Sequence, residues 1–233
     1  HRVNETPDIV FYRVPGENIV SRIGAFQLLK DGETPSGFIV SNFKGDQVYQ
    51  FVEGKMASFT GLPKVESTPK QEYLKAARNY IDYLTEYGGK AVLSRLKEVK
   101  GPEDIKTYFH DLCETYQNAF VYALIGAKIG IWVGATPETL IEAKDNIGKT
   151  MALAGTRKVD SDISWEEKEF EEHELVADFI DEKLKDLELE NIQRSERFEA
   201  NSGPVKHLRT DFQFNINQTQ VWRLAQKLHP TPA

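Results

Sequence analysis

The sequence predicts an α+β fold in which helices pack outside antiparallel sheets. Two observations support this fold class. Segments typical of strands and of helices follow one another in mixed order, and short turns join many of the strand segments into hairpins. No repeat of fixed period and no Gly/Ser-rich or Pro-rich linker divides the 233 residues. We therefore expect residues 1–233 to form a single domain.

The first 55 residues are typical of short strands. Residues 9–14 are mainly apolar and end at the turn pair Pro15-Gly16. Residues 37–40 and 47–52 flank a second turn at 44–46 and predict a hairpin. Residues 57–69 are typical of a loop.

Two helices and a short strand are predicted next. Between residues 70 and 87 apolar side chains recur every three or four positions, and Gly88-Gly89 ends the pattern. Residues 91–93 predict a buried strand. A second helix begins at Pro102, a favourable first-turn residue, and its apolar face carries Ile105, Phe109, Leu112 and Tyr116.

Hairpins and helices also fill the second half of the chain. Residues 119–135 predict an apolar hairpin, and residues 139–157 predict two strands around Asp145-Asn146. A long acidic helix is expected from an N-cap at Ser164 to about residue 185. Strands near 188–199 and 208–216 follow, and then a helix over 219–228 that Pro230 stops.

Charge and cysteine content exclude several classes of protein. The 29 Lys and Arg against 36 Asp and Glu give a net charge of −7, so a general nucleic-acid binder is not expected. The single cysteine, Cys113, cannot form an internal disulfide and favours the reducing cytoplasm. Residues 119–135 barely reach the length of a membrane span and carry Lys128 near their centre, so no membrane partner is expected either. No N-terminal segment is typical of a signal peptide.

Lys90 and Glu138 are candidates for proton transfer. A lysine at the start of a buried strand loses solvation, which favours its neutral form and lets it act as a general base. Glu138 follows an apolar strand and Pro137, and a carboxyl at the rim of a core has a raised pKa and can donate a proton. Spacing alone favours plainer alternatives, a helix-terminal lysine and an exposed turn glutamate.

The acidic helix and two smaller features are candidates for binding. Glu169 and Glu172 lie three residues apart on one helix face, where two carboxylates suit Mg²⁺ together with an anionic substrate. A solvated acidic face is the alternative, and the composition alone favours it. Gly155-Thr156 can present N–H groups and a hydroxyl to a carboxylate, or can be an ordinary turn. His229 can simply end a helix.

Six stretches in order make the sequence resemble the chorismate-utilising enzymes, which include isochorismate, salicylate, anthranilate and aminodeoxychorismate synthases. They are KAVLSR at 90–95, WVGATPETL at 132–140, ALAGTR at 152–157, KEFEEHELV at 168–176, HLRT at 207–210 and LHPTPA at 228–233. Each stretch is modest alone, but six in the right order at fitting separations are specific. The resemblance thus implies the chorismate-binding enzyme fold, with residues 1–89 as its N-terminal strands and helix and residues 90–233 as its motif-bearing part.

The family pattern implies that water is the nucleophile. Lys90 matches the general base that activates water, and Glu138 matches the general acid that protonates a leaving hydroxyl. Amine-transferring members carry Gln at the position of Lys90, and aminodeoxychorismate synthase carries a nucleophilic Lys at the position of Ala154. The resemblance is therefore strongest to isochorismate synthase, a Mg²⁺-dependent isomerase that feeds menaquinone or siderophore synthesis.

The same resemblance implies the binding residues. Glu172 matches a Mg²⁺ ligand with Glu169 as a nearby partner, and Gly155 and Thr156 match the turn that holds the ring carboxylate of chorismate. His229 matches a histidine that lines the substrate pocket. We expect a cytoplasmic monomer with chorismate as its small-molecule substrate.

Two alternatives remain open at this point. A salicylate synthase shares the base and the acid and adds elimination of pyruvate, and a binding domain without catalysis could use the same fold. Family members continue past the HPTPA stretch with a second Mg²⁺-binding glutamate region. We therefore expect that the C-terminal part of the fold is missing from residues 1–233 and that this fragment alone is inactive.

Overall fold

The computed structural model describes residues 5–30, 32–58 and 66–232. Within these residues the first strands are β1 (Glu5–Thr6), β2 (Asp8–Arg13), β3 (Val20–Leu28), β4 (Ile39–Ser41), β5 (Val48–Glu53) and β6 (Ala57–Ser58). Helices α1 (Lys70–Tyr87) and α2 (Ile105–Thr115) follow. The remaining elements are β7 (Phe120–Gly126), β8 (Gly130–Thr136), β9 (Glu142–Lys144), β10 (Ile147–Lys158), α3 (Glu167–Asp186), β11 (Glu190–Arg194), β12 (Phe198–Ser202), β13 (Val205–Asn215) and α4 (Gln218–Leu228).

Two larger antiparallel sheets organise the described residues. The first has six strands in the order β4-β5-β3-β2-β7-β8, and α2 packs against it through Phe109 and Cys113. The second has the order β11-β13-β10-β9, with β12 also paired to β13. All strand pairs in these sheets are antiparallel, which confirms the predicted α+β class with antiparallel sheets.

The main hydrophobic core lies between the second sheet and helices α3 and α4. Its fully buried side chains include Ile180 and Leu184 of α3, Phe212 of β13, and Leu224 and Leu228 of α4. The small residues of β10 let α3 approach the sheet closely, because an Ala side chain fills little of the space between them. This packing fixes α3 directly over β10, where several candidate site residues lie.

Buried Asp8 ties the first sheet together. Its Oδ2 accepts a hydrogen bond from the backbone N–H of Phe26, and its Oδ1 accepts one from that of Ala127, each at 2.8 Å. The residue is only 2% exposed, so these two N–H groups compensate for the solvation that the carboxylate loses. Asp8 thereby joins β2 to β3 and to the turn between β7 and β8.

Several predicted elements are confirmed by the structure. Helix α1 begins and ends where the periodicity and Gly88-Gly89 placed it. The hairpin β9–β10 turns at Asp145 and Asn146, whose positive φ angles of 53° and 61° are typical of a two-residue turn. Helix α3 begins at Glu167 with Glu166 as N-cap, instead of directly after Ser164.

None of the helices in the described ranges is long and apolar enough to cross a membrane.

The strand predicted over residues 91–93 is wrong. Residues 88–104 contain no regular secondary structure, and Val92 is 63% exposed rather than buried. The backbone N–H and carbonyl groups of Leu96 are hydrogen-bonded to Thr68, which does not belong to a strand. A strand is stable only where a neighbouring strand pairs with its backbone groups, and this segment has no such neighbour among the described residues.

Strand β3 and the loop predicted over 57–69 also differ from expectation. β3 was not among the predicted strands, because its buried residues run together as Gly24, Ala25 and Phe26 instead of alternating. Ala57 and Ser58 pair with β1, and residues 59–65 of the predicted loop lie outside the described residues.

Candidate active site

Five of the seven predicted site residues line one cavity of about 420 Å³: Lys90, Glu138, Gly155, Thr156 and Glu172. The cavity lies where the end of β8, the middle of β10 and the first turns of α3 meet the irregular segment after α1. Leu153 and Ala154 supply apolar wall, and His207 of β13 completes one side. The structure therefore brings the two proton-transfer candidates to the same space as the binding candidates.

Lys90 forms an ion pair with Glu172 in the wall of the cavity. Its Nζ lies 3.3 Å from Oε1 of Glu172, and the lysine side chain is only 12% exposed while that of Glu172 is 34% exposed. Lys90 follows the end of α1 by three residues, but its ammonium contacts α3 instead. This contact differs from the helix-terminal lysine that spacing alone favoured.

Glu138 is half-buried in the loop that follows β8. Its backbone N–H donates to Oγ1 of Thr136, the last residue of that strand, at 3.3 Å. Burial raises the pKa of the Glu138 carboxyl, and the nearby charge of Lys90 opposes that rise. The carboxyl therefore keeps its proton to a higher pH than an exposed glutamate, which is the property expected of a general acid.

Gly155 and Thr156 form a bulge in β10. The register with β13 pairs Ala154 with Leu208 and then shifts before Arg157 pairs with Lys206, so the bulge leaves the two residues outside the ladder. Gly155 has φ +69°, a conformation that favours glycine. The bulge interrupts the sheet and turns this part of the backbone toward the cavity.

His207 holds the bulge from the opposite strand. Its Nδ1 lies 3.0 Å from the carbonyl oxygen of Gly155 and 3.1 Å from Oγ1 of Thr156. Its Nε2 is buried and has no hydrogen-bond partner among the described residues. His207 belongs to the HLRT stretch at 207–210, one of the six stretches of the family resemblance, but the resemblance implied no role for it. Only the register of β13 against β10 identifies its position in the cavity wall.

Glu169 lies beside the cavity, and both of its carboxylate oxygens have donors. Oε1 is 2.9 Å from Nη2 of Arg157, and Oε2 accepts a hydrogen bond from the backbone N–H of Glu166 at 2.8 Å. Both hydrogen bonds lower the pKa of Glu169, and the one from the Glu166 N–H has the larger effect. Glu169 and Glu172 therefore share a helix face, as predicted, but have different partners.

The structure does not bring His229 to the other site residues. It lines a separate cavity of about 1040 Å³ between the first sheet and α4. Its Nε2 lies 2.6 Å from the carbonyl oxygen of Phe43, and the two rings meet edge to face with centroids 5.3 Å apart. The predicted substrate role of His229 thus has no support from its position here.

Comparison with known proteins identifies the family. Residues 50–233 match the family model described as chorismate binding enzyme. The chain belongs to the chorismate-binding enzymes. This family membership agrees with the six sequence stretches, of which all lie within the matched residues. No curated protein matches the chain by sequence.

Two solved structures share the fold of this chorismate-binding enzyme. One is DhbC from Bacillus anthracis, a protein assigned as a 2,3-dihydroxybenzoate-specific isochorismate synthase, with a TM-score of 0.73 and 20% identity over 100% of this chain and 74% of that chain. The other is MenF, the menaquinone-specific isochorismate synthase from Escherichia coli, with a TM-score of 0.71 and 15% identity over 99% of this chain and 69% of that chain. At these identities the likeness establishes the fold.

One side chain in the cavity wall, that of Glu172, has the chemistry of a Mg²⁺ ligand. Among residues 5–30, 32–58 and 66–232, no three His, Cys, Asp or Glu side chains come together as a metal site. Glu172 nevertheless presents a partly exposed carboxylate to the cavity, and Mg²⁺ commonly uses one or two carboxylates with substrate oxygens and water. Glu172 therefore fits a Mg²⁺ ligand, whereas Glu169 is already bound to Arg157 and to the helix N-terminus.

Proposed function

We propose that this protein is an isochorismate synthase, which converts chorismate to isochorismate in the presence of Mg²⁺. The observation that carries the proposal is the joint position of Lys90 and Glu138 in the wall of one cavity. The reaction needs one group to remove a proton from water and another to give a proton to a leaving hydroxyl. A lysine and a half-buried glutamate supply that pair.

In the proposed reaction, water attacks C2 of chorismate while the C4 hydroxyl departs and the ring double bonds shift. Lys90 in its neutral form takes the proton of the attacking water. Glu138 in its protonated form gives a proton to the C4 oxygen, which leaves as water. The burial that raises the pKa of Glu138 supports this role, because the acid must hold its proton near neutral pH.

The ion pair between Lys90 and Glu172 brings the two parts of this mechanism into contact. Nζ of Lys90 lies 3.3 Å from Oε1 of Glu172, so the proposed base lies directly beside the proposed Mg²⁺ ligand. In this mechanism Glu172 would hold Mg²⁺ at the cavity wall. When bound, Mg²⁺ would neutralise the ring carboxylate of chorismate beside these acidic residues.

The bulge at Gly155-Thr156 is the proposed carboxylate-binding turn. A bulge leaves N–H groups outside the ladder, and the Thr156 hydroxyl lies at the same turn. The contacts of His207 to both residues would keep the turn in place while substrate binds. A fixed turn and Glu172, which both line the cavity, would orient the ring relative to Lys90 and Glu138.

Two other functions would use the same cavity. A salicylate synthase would employ the same base and acid and then eliminate pyruvate. A binding domain without catalysis would retain chorismate unchanged, although binding alone gives no physical reason to keep Lys90, Glu138 and Glu172 together.

The products formed from chorismate test the proposal. The complete protein is incubated with chorismate and MgCl₂, and the products are separated by liquid chromatography, with an EDTA-treated sample as control. Isochorismate formed only with Mg²⁺ is the expected result. Salicylate with an equivalent of pyruvate would identify a salicylate synthase instead. Unchanged chorismate, together with binding detected by calorimetry, would identify a binding domain without catalysis.

A further inference from the structure

A second cluster of side chains lies directly behind the Gly155-Thr156 bulge. It consists of Arg157 at the end of the bulge, Trp165 before α3, and Glu169 in the first turn of α3. The guanidinium carbon of Arg157 lies 4.8 Å from the centroid of the Trp165 ring, and its Nη2 lies 2.9 Å from Oε1 of Glu169. The Arg157 side chain is 12% exposed, so this is a largely enclosed contact and not a solvated surface pair.

The backbone of the bulge packs on the same cluster. A Cβ atom added to Gly155 would lie 3.1 Å from Cζ3 of Trp165 and 3.8 Å from Cβ of Glu169. The Trp165 indole is itself held by a hydrogen bond from its Nε1 to Glu199 of β12. The bulge therefore rests on a ring and a helix turn that are both fixed by other contacts.

Glu169 carries this contact into α3. While Oε1 faces Arg157, Oε2 accepts from the N–H of Glu166 and so caps the first turn of the helix. Glu172 lies three residues later on the same helix face. A continuous path thus runs from the bulge through Arg157 and Glu169 to the helix turn that bears Glu172.

We propose that Arg157 is a positioning residue that, through Glu169, sets the place of Glu172 relative to the Gly155-Thr156 bulge. In this assignment Glu169 serves the network and does not ligate the metal, because its two oxygens are already held by Arg157 and the Glu166 N–H. The inference rests on the proposed function, in which the bulge holds the ring carboxylate and Glu172 holds Mg²⁺. Loss of Arg157 would leave both Glu172 and the Gly155-Thr156 bulge present but would change the position of one relative to the other.

Metal binding and substrate binding are measured separately to test this assignment. Mn²⁺, used alone as the probe for the Mg²⁺ site, is titrated by electron paramagnetic resonance against the complete protein and its variants. Chorismate affinity is measured by calorimetry with MgCl₂ in a Lys90→Gln background, in which the proposed water addition cannot occur. Because neither readout needs turnover, a failure of the isochorismate synthase assignment can be told apart from a failure of this inference.

The expected results differ between the variants. Arg157→Gln and Glu169→Gln should each weaken chorismate binding about tenfold and change the Mn²⁺ dissociation constant less than threefold, since Glu172 remains. The double variant should resemble the single ones, because both changes break one interaction. Glu172→Gln should weaken Mn²⁺ binding more than thirtyfold. Arg194→Gln, which removes ion pairs to Glu174 and Asp178 on the same helix, is the matched control and should alter neither affinity.

Three outcomes would overturn the proposal. Glu169→Gln could weaken Mn²⁺ binding as strongly as Glu172→Gln, which would make Glu169 a ligand. Arg157→Gln could lower the midpoint of thermal unfolding without changing chorismate affinity, which would make its role structural only. The effects of the two single variants could also add in the double variant. If Arg157→Gln does not fold, Glu169→Gln removes the same ion pair from its other partner, and an unchanged chorismate affinity in a folded Glu169→Gln protein would overturn the proposal.

Discussion

Nζ of Lys90 lies 3.3 Å from Oε1 of Glu172, and this ion pair joins the segment after α1 to the second turn of α3. Lys90 lies in a stretch without regular secondary structure, so no ladder of backbone hydrogen bonds fixes its position. Its contact with Glu172 is therefore a principal restraint that keeps the ammonium in the cavity. The same contact places the candidate base directly beside the candidate Mg²⁺ ligand.

Replacing Lys90 with Gln should abolish water addition to chorismate. Glutamine cannot take a proton, and a positioned general base contributes about 10²- to 10⁴-fold to a rate. We expect isochorismate formation by the complete protein to fall at least about 100-fold, measured by chromatography under saturating chorismate and Mg²⁺. Lys100→Gln, at an exposed position, is the control. Wild-type turnover by Lys90→Gln would refute the assignment of the base.

Replacing Glu138 with Gln should make the fold less sensitive to alkaline pH. Burial raises the folded-state pKa of Glu138 above its ordinary value of 4.5, so between the two values the folded protein holds a proton that the unfolded chain has lost. The stabilisation from the protonated form is full below the ordinary pKa and is lost as the pH rises through the folded-state pKa. Gln has no such dependence.

The difference in free energy of unfolding between Glu138→Gln and the wild type should therefore increase from pH 4 to pH 8 in favour of the variant. Urea unfolding followed by circular dichroism measures it, with Glu103→Gln at an exposed loop position as control. A difference that stays constant with pH would contradict the raised pKa. Isochorismate formation should fall at least about 100-fold in the same variant, because the leaving hydroxyl has lost its acid.

Replacing Gly155 with Ala should destabilise the bulge more than a glycine turn in open space. The positive φ alone costs a non-glycine residue about 1–2 kcal/mol, and at Gly155 the new Cβ would also press on Trp165 at 3.1 Å. Gly16→Ala is the matched control, since Gly16 has φ +77° and nothing within 4 Å of an added Cβ. Equal losses of unfolding free energy in the two variants would show that Trp165 does not restrict the bulge.

Replacing Asp8 with Asn should destabilise the first sheet without changing the cavity. The amide has one oxygen acceptor, so either the Phe26 or the Ala127 N–H would face an NH₂ group instead of an acceptor. Leaving a buried donor unsatisfied costs about 1–3 kcal/mol. Chemical unfolding of the variant checks this value against Asp162→Asn at an exposed position. Unchanged unfolding would mean that water or a shifted backbone replaces the lost acceptor.

Local sequence patterns predicted the elements whose stability is largely local. Helix α1 follows from apolar spacing and from Gly88, because both features act within a few residues of where they occur. The strand predicted at 91–93 was wrong for the opposite reason: Val92 has a suitable residue type, but a strand also needs a partner that no local pattern specifies. β3 was not predicted because its buried residues do not alternate with exposed ones.

The candidate site was predictable as a set of residue types but not as an arrangement. The six stretches identified Lys90, Glu138 and Glu172, and the structure places all three at one cavity. No local pattern indicated that His207 would support the bulge or that Arg157 would bind Glu169. These contacts depend on the register of β10 against β13 and on the seating of α3 over the sheet.

The sequence by itself determined the α+β class, the order of most helices and hairpins, and membership of the chorismate-binding enzymes. These properties depend on periodicity, turn residues and motifs that are each contained in a short stretch. Only the tertiary structure decided that Lys90 faces Glu172, that Glu169 is held by Arg157, and that His229 lines a different cavity. Such pairings join side chains far apart in the chain, and they are fixed by strand register, a one-sided bulge and core packing, which no short stretch encodes.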